Sequence, residues 1–283
     1  MTDLQKTEFN ILVSFISACD RLGLKYYLLG GTLLGAVRHR GFIPWDDDID
    51  VGMLRADYEV FLHEGQKLLP ESYFLQTFET DPDYPQCFAK LRDSGTTFIE
   101  TSVRHRKINH GVYIDIFPLD YYPEKTVQQR LLRLKLRALF FRQRSEFYLP
   151  EYNKVTLNSL LFGPLSRALF PTTQSIVRNM DQTLRSVPDS ALVCNYCGAW
   201  GERETAPLSW FGDGVYGTFE GLPVRLPAAY DCWLTKVYGN YMELPPEEKR
   251  VAHHYSEHID LSKSYLEYLR LCQTDQHEKG VCS

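Results

Sequence analysis

Residues 25–53 constrain the fold of this chain more than any other stretch, and they read KYYLLGGTLLGAVRHRGFIPWDDDIDVGM. Their pattern predicts a short apolar strand over residues 26–29, which runs into a Gly-Gly-Thr turn. A helix of one or two turns is expected from 33 to about 39, and Gly41 and Pro44 end it.

Three alternate aspartates follow this helix. A second strand is expected to start near Trp45 and to carry Asp46, Asp48 and Asp50. Side chains alternate between the faces of a strand, so the three carboxylates would share one face. Clustered carboxylates repel one another unless a cation lies among them, and oxygen-rich clusters select hard cations. The sequence therefore predicts a Mg²⁺ or Mn²⁺ site that includes these aspartates.

The turn at Gly30, Gly31 and Thr32 is suited to a phosphate. Glycine lets the backbone approach a ligand closely, and the N–H groups at the start of a helix favour an anion. An acidic run or a Gly-Gly pair alone is usually an ordinary solvated turn. A divalent metal beside a phosphate-binding turn is typical of sites that carry out phosphoryl transfer. The order and spacing of the two features favour that function here.

Later segments carry further candidates. Lys90 and Arg92 are expected on one face of a strand, where they would be phosphate ligands or solvated edge charges. Asp115 interrupts the β-branched and aromatic run of residues 111–119, so it is either half exposed or functional. Asp120 is expected beyond that strand, as a turn or helix-capping residue.

These motifs resemble a known family. Gly30-Gly31-Thr32 followed by Asp48-Ile49-Asp50 looks like the signature of the nucleotidyltransferase superfamily. The longer text around both motifs is similar to the LicD branch, which includes the fukutin-type proteins. Further matches lie at residues 90–94, 113–120 and 244–254. The resemblance is dense from about 25 to 120, thin from 121 to 229, and returns from about 230 to 260.

The resemblance implies a fold and a division of the chain. The fold would be α/β, with a nucleotidyltransferase-like catalytic core over residues 1–120 in which helices flank a small mixed sheet. Residues 121–283 would form a mostly helical region that completes the substrate cleft and contacts the membrane.

The resemblance also implies a Mg-dependent transferase. It would move phosphocholine from CDP-choline, or a related CDP-linked donor, to a sugar hydroxyl of a lipid-linked cell-envelope glycan, and it would release CMP. The acceptor would be a teichoic acid or lipopolysaccharide precursor. Asp48, Asp50 and Asp115 would be catalytic, and Asp46 or Asp115 would complete the metal site. The substrate-binding residues would be Gly30, Gly31, Thr32, Arg38, Lys90, Arg92, His253 and His254.

Other functions stay open from the sequence. A nucleotidyltransferase would attach a nucleotide to a small molecule, and a glycosyltransferase can also carry Asp-x-Asp. A non-catalytic binding protein of the same fold is disfavoured, because it would have little reason to retain so many costly carboxylates. A choline headgroup would need an aromatic cage, for which the candidates are Trp45, Tyr84, Phe88 and Tyr113.

Composition indicates which binding partners and which cellular location are expected. The net charge of −5 does not suggest a nucleic-acid partner. No apolar run approaches the ~20 residues of a membrane span, and the first residues lack a signal-peptide pattern. The seven cysteines are scattered and odd in number, so a cytoplasmic, reducing location is expected. Cys194 and Cys197 form a single Cys-x-x-Cys pair that is expected to be structural.

Residues 125–144 hold seven basic residues and no acidic ones, interleaved with leucine and phenylalanine. They are expected to form an amphipathic helix. Its charges would lie in water or would meet anionic lipid headgroups, and the second case would place the protein at the inner face of the membrane.

Overall fold

A computed structural model describes residues 1–147, 168, 172–251 and 256–270. It confirms the α/β class, because helices flank a mixed sheet. The helices are α1 (Asp3–Leu22), α2 (Gly30–Arg38), α3 (Arg55–Glu64), α4 (Thr126–Phe147), α5 (Thr173–Arg185) and α6 (Tyr230–Tyr238). The strands are β1 (Tyr27–Leu28), β2 (Asp50–Leu54), β3 (Tyr73–Gln76), β4 (Ala89–Asp93), β5 (Thr97–Glu100), β6 (Val112–Tyr122), β7 (Leu192–Cys194), β8 (Ala206–Pro207), β9 (Val215–Phe219), β10 (Leu222–Leu226) and β11 (Ser256–Asp260).

The central sheet has seven strands. Five follow the order β1-β2-β6-β4-β3, and β7 and β8 extend the sheet from the far end of β6. β2 runs parallel to β6, whereas the other pairs are antiparallel. The register sets Asp115 of β6 opposite Asp50 of β2 on one side and opposite Lys90 of β4 on the other. The fold therefore brings two acidic positions and one basic position, distant in sequence, to one level of the sheet.

Helix α1 packs on this sheet. Thr2 and Gln5 form a capping box at its start, and Gly23, with a φ of 67°, ends it in the left-handed conformation. The buried face of α1 places Ile11 and Phe15 in the main core. Helix α1 therefore packs on the sheet, and its first two turns also reach the segment that carries Asp46.

The second strand begins later than the sequence predicts. Asp46 and Asp48 precede β2 in an irregular segment, in which the backbone N–H of Asp46 donates to the Ile43 carbonyl at 2.9 Å. Pro44 lies inside this turn and favours it over a strand. The prediction that Asp46, Asp48 and Asp50 share a strand face was therefore wrong: only Asp50 belongs to the strand.

Asp120 also lies elsewhere than predicted. It is a buried residue of β6, and its carboxylate accepts two hydrogen bonds from the Arg55 guanidinium at 2.7 and 2.6 Å. Arg55 also donates to Asp181 of α5 at 3.0 Å. The interpretation as a turn or capping residue was wrong, because the strand continues past Pro118 to Tyr122.

Two apolar clusters hold the elements together. The main core includes side chains from the sheet and α1, and also from β10 and α6. A second cluster joins α4 to α5 against the end of β6. The division of the chain at residue 120 stays a prediction. Among the described residues, none of the helices is both long and apolar enough to cross a lipid bilayer.

Candidate active site

Hydrogen bonds of the backbone and of one side chain connect the glycine turn to Asp50 of β2. The hydroxyl of Thr32 accepts a hydrogen bond from the backbone N–H of Asp50 at 2.8 Å, and the N–H of Leu29 donates to the Asp50 carbonyl at 3.0 Å. Helix α2 starts at Gly30, three residues earlier than predicted. Because Thr32 is buried, it fixes where the Asp50 carboxylate emerges from the sheet.

Both glycines of the turn are needed for space. A Cβ at Gly30 would collide with the Asp50 carboxylate, and a Cβ at Gly31 would collide with that of Asp46. Gly30 also has a φ of +53°, a conformation that other residues adopt at a cost. The carboxylates therefore lie directly against the backbone at the start of α2.

A cavity of about 650 Å³ opens beside this turn. Its acidic wall holds Asp46, Asp48 and Asp50, together with the backbone of Gly30 and Gly31. The remaining wall is aromatic and mixed in charge, and its main side chains are Arg38, Trp45, Phe117, Trp200, Glu204, Tyr238, Tyr241 and Lys249. The three aspartates thus line one cavity, although the loop before β2 brings them there and not the continuous strand that was predicted.

The acidic wall has a strongly negative potential. Burial raises the pKa of Asp50, and the charges of Asp48 and Asp115 raise it further. Glu8, a buried residue of α1, shows the same effect: burial raises its pKa first, and the neighbouring charges of Asp48 and Asp47 add to it. A cation bound between these carboxylates would relieve their mutual repulsion.

Two residues of α1 support this wall, and the sequence patterns did not identify them. Gln5 donates from its side-chain amide to the Asp46 carbonyl at 2.8 Å. Glu8 lies within the electrostatic reach of the same loop. A glutamine and a glutamate in an amphipathic helix give no local signal of such a role.

The wall fits Mg²⁺ in the manner usual for phosphate substrates. Within the residues that the structure describes, no three acidic, histidine or cysteine side chains converge as a complete protein ligand set. Mg²⁺ usually takes one or two protein carboxylates and fills its shell with substrate phosphates and water. Asp48 and Asp50, on the wall beside an open backbone turn, offer that kind of partial set.

The Asp115 side of the site is a buried charge network. The Lys90 ammonium lies 3.0 Å from Asp115 Oδ1 and 3.3 Å from Glu100 Oε1, and 3.2 Å from the centroid of the Tyr113 ring. Burial alone would raise the pKa of Glu100, but Lys90 and Arg92 outweigh it and hold that pKa below its ordinary value. Lys90 therefore connects the central sheet position of Asp115 to β5.

Arg92 is fully buried in the same network. Its guanidinium donates to Gln76, to the Gly111 carbonyl and to Glu100 at 2.6 to 2.8 Å. The structure therefore places Lys90 and Arg92 among protein acceptors, and their contact with phosphate stays a prediction. Arg38 differs, because it lines the cavity while donating to the Tyr241 carbonyl at 2.8 Å.

The aromatic wall comes mostly from residues that the sequence did not single out. Of the four cage candidates, Trp45 lines the cavity, whereas Tyr84, Phe88 and Tyr113 are buried away from it. Trp200 and Tyr238 form an edge-to-face pair at 5.8 Å between ring centroids, and both face the cavity. Trp200 lies in a region without regular sequence pattern, and Tyr238 ends α6, where one more aromatic residue gave no signal.

Glu204 is a further acid at this wall that sequence reasoning missed. It ends a 3₁₀ turn (Gly201–Glu204), and its carboxylate accepts hydrogen bonds from the Asn195 amide at 3.1 Å and from the Trp200 backbone N–H at 3.3 Å. Burial raises its pKa to about 7. His253 and His254, which were predicted to contact substrate, lie outside the described residues.

Comparison with known proteins identifies the family of this chain. Residues 23–166 match the family model described as LicD/FKTN/FKRP, nucleotidyltransferase domain. The chain is 34% identical over 259 residues to the lipopolysaccharide cholinephosphotransferase LicD of Haemophilus influenzae, a match that covers 88% of this chain and 93% of that protein. Residues 23–166 are thus those of a nucleotidyltransferase domain of this type. The chain belongs to the LicD family.

Two other relatives match shorter parts of the chain. An uncharacterised protein of Rickettsia prowazekii is 37% identical over 102 residues, which is 36% of this chain and 34% of that protein. The human ribitol 5-phosphate transferase FKRP is 45% identical over 42 residues, which is 15% of this chain and 8% of that protein. The predicted family is therefore confirmed. Of these relatives, one is a cholinephosphotransferase and another is a ribitol 5-phosphate transferase.

Proposed function

We propose that this protein transfers phosphocholine from CDP-choline to a sugar hydroxyl of a cell-envelope glycan and releases CMP. The similarity to the H. influenzae cholinephosphotransferase supports a lipopolysaccharide acceptor, with a teichoic acid precursor as the related possibility. The observation that carries the proposal is the acidic wall of Asp46, Asp48 and Asp50 directly against the backbone of Gly30 and Gly31, at one side of a cavity of about 650 Å³.

The turn and the acidic wall would bind the pyrophosphate of the donor. Asp48 and Asp50 would hold Mg²⁺, with Asp46 or Asp115 completing the set. The ion would supply charge neutralisation at the phosphate oxygens and at the departing CMP. Gly30 and Gly31 would let those oxygens approach the start of α2, and Arg38 would add positive charge at the far side of the cavity.

The sugar hydroxyl would attack the phosphorus that carries choline. A new P–O bond would form to the sugar, and the P–O bond to CMP would break, so the products are a phosphodiester and CMP. Asp115 would accept the hydroxyl proton, since it lies in register with Asp50 on the neighbouring strand. Lys90, 3.0 Å from Asp115, would orient that carboxylate.

The choline headgroup would lie against the aromatic wall. Trp200 and Tyr238 present ring surfaces to the cavity, and the Glu204 carboxylate lies beside them. A quaternary ammonium is bound by ring faces and by negative charge without needing hydrogen bonds, which suits this wall. The free thiols of the described cysteines suit a cytoplasmic setting, and we place the reaction there, at the inner face of the membrane.

The test is transfer measured with several donors. Wild type is incubated with lipopolysaccharide lacking phosphocholine, Mg²⁺ and one of CDP-choline, CDP-ethanolamine or CDP-ribitol, and the release of CMP is followed. The Asp48→Asn/Asp50→Asn variant should lose about 1000-fold in rate, because several kcal/mol of transition-state stabilisation depend on these carboxylates. The same variant should be no less stable than wild type, since it relieves charge repulsion.

Asp213→Asn is the matched control, because this carboxylate is exposed and pairs with Lys25. It should retain full activity. Preference for CDP-ribitol or CDP-ethanolamine would replace choline in the proposal. Pyrophosphate and a nucleotidylated product would indicate a nucleotidyltransferase instead. Equal binding of donor by wild type and the double variant, with no turnover, would indicate a non-catalytic binding protein.

A further inference from the structure

Helix α4 (Thr126–Phe147) has one face that is buried in the protein. Leu132, Leu136 and Leu139 are almost fully buried, and they pack with Ile176 and Met180 of α5 in the second apolar cluster. The spacing of these leucines, four and three residues apart, is that of one helical stripe. This stripe explains the attachment of α4, and it leaves the other face of the helix to solvent.

The outer face of α4 is also apolar. Val127, Leu131 and Leu134 are 68%, 63% and 69% exposed, and they follow the same four-and-three spacing. They are the most exposed aliphatic side chains of the part of the chain that the structure describes. Ala138 continues the stripe in an exposed position, and the half-buried Phe141 follows it. Scattered exposed leucines are ordinary, but an aligned stripe on an outward helix face indicates a partner.

Basic side chains border this stripe on both sides. At about 100° per residue, Arg130 and Arg137 lie along one margin and Lys135 along the other, and all three are exposed. Within the described ranges these three cations form no ion pair with an acidic side chain. Residues 125–144 contain no acidic residue at all, although the whole chain carries a net charge of −5. Residues 125–144 are therefore a basic segment of a chain whose net charge is negative.

We propose that this face of α4 docks on an anionic phospholipid surface. The aliphatic stripe would enter the boundary between headgroups and acyl chains, and the bordering cations would contact lipid phosphates. An apolar stripe with basic margins is the pattern of helices that lie in the membrane interface. The acidic remainder of the protein is repelled by the same surface, so the charge distribution also sets the orientation of the bound molecule.

The docking is tested with the full-length protein and lipid vesicles. Sedimentation is measured with vesicles of phosphatidylcholine alone and with vesicles in which phosphatidylglycerol replaces about a third of the lipid. Wild type should bind the anionic vesicles and only weakly the neutral ones, and the binding should fall with added salt. This measurement needs no nucleotide or glycan, so it is independent of the proposed transferase activity.

Two variants separate the apolar and the charged contributions. Leu131→Ser/Leu134→Ser should weaken the partition on the order of 100-fold, because two leucine side chains would no longer insert. Arg130→Gln/Arg137→Gln should weaken it about 30-fold and reduce its salt dependence. All four residues are exposed, so both variants should retain the circular dichroism spectrum and melting temperature of wild type.

The matched controls remove similar groups elsewhere. Val13→Ser removes an exposed aliphatic side chain from α1, and Arg21→Gln/Lys67→Gln removes two exposed charges away from α4. These variants should bind as wild type does. Failure of wild type to bind anionic vesicles would overturn the proposal, as would equal binding by the α4 variants. A dimer of wild type in solution that Leu131→Ser/Leu134→Ser converts to a monomer would also overturn it, and would assign the face to a second copy.

Discussion

Asp50 on β2 and Asp115 on β6 are direct cross-strand partners in a parallel pair, and Lys90 on β4 faces Asp115 from the opposite side. The ammonium of Lys90 lies 3.0 Å from Asp115, so one carboxylate of the pair is charge-compensated by the protein. The pKa of Asp50, by contrast, is raised by burial and by its acidic neighbours. In the proposed chemistry Asp50 would hold the cation, and Asp115 is the candidate proton acceptor.

Substitution of Gly30 should abolish activity mainly through a collision with Asp50. Gly30→Ala places a Cβ against the Asp50 carboxylate and also adopts a φ of +53°. The backbone strain costs about 1–2 kcal/mol, and the displaced carboxylate adds a loss of at least about tenfold in donor turnover. Gly221→Ala is the control, because its φ is +82° but its Cβ would meet open space. Comparable turnover in the two variants, measured as CMP release, would contradict this explanation.

Removal of Lys90 should strongly destabilise the protein. Lys90→Met leaves Asp115 without its buried cationic partner and leaves Glu100 with Arg92 alone. Breaking a buried pair by removing one partner typically costs about 3–5 kcal/mol. Lys67→Met breaks an exposed pair with Glu64 and should cost about 1 kcal/mol or less. Urea unfolding monitored by tryptophan fluorescence gives both free energies. Similar losses in the two variants would mean that the Lys90 network contributes no more than a surface pair.

The stability of the protein should depend on the protonation of Glu204. Burial raises the pKa of this carboxyl from 4.5 to about 7 in the folded protein, so the folded state binds a proton more tightly than the unfolded state. The free energy of unfolding should therefore decrease as the pH rises from about 5 to 8, by roughly 3 kcal/mol from this group. Glu204→Gln should remove that part of the decrease.

The matched control for Glu204→Gln is Glu248→Gln, which alters an exposed glutamate. The unfolding free energy of each variant is measured across this pH range and subtracted from that of wild type. A difference that grows with pH for Glu204→Gln, and stays constant for Glu248→Gln, is expected. A flat difference for both would show that Glu204 titrates normally.

Trp200 should determine the preference for choline over ethanolamine. Trp200→Ala removes a ring from the aromatic wall, and cation–π contacts of desolvated cations are worth about 2 kcal/mol, so the selectivity for CDP-choline should fall about 30-fold. Trp200→Phe should retain part of it, and Tyr216→Ala, which alters an exposed ring of β9, should retain all of it. An equal loss with both donors would assign Trp200 a purely structural role.

Sequence patterns predicted the parts of this molecule that depend on residues close together in the chain. The glycine turn leads into α2, and Asp115 lies on a strand beside Asp50, as the motifs indicated. The strand through Asp46 and Asp48 was wrong because Pro44 and the Asp46–Ile43 turn keep these residues irregular until β2 begins. The three carboxylates still line one wall of the cavity. The loop before β2 brings them together there, in place of the alternation of side chains along a strand.

The remaining residues of the candidate site can be identified only from the tertiary structure. Glu8, Glu100 and Glu204 come from a helix, an edge strand and a 3₁₀ turn, and nothing in their immediate neighbours distinguishes them from surface acids. The same holds for Trp200 and Tyr238, which meet only when residues beyond 190 pack on the sheet. Arg92 is the opposite case. Its motif suggested a phosphate ligand, but its fully buried guanidinium donates hydrogen bonds to acceptors within the protein.

Strand β6 has a consequence for how the protein acquires its activity. It pairs with β2, β4 and β7, and it supplies Asp115 at one level and Asp120 at another. Parallel pairing of β2 with β6 closes a long loop of chain, which is among the slower steps in folding. A growing polypeptide would therefore have its glycine turn and acidic loop long before it has a working centre. The alignment of Asp115 with Asp50 therefore forms only after the chain between the two strands has closed into its loop.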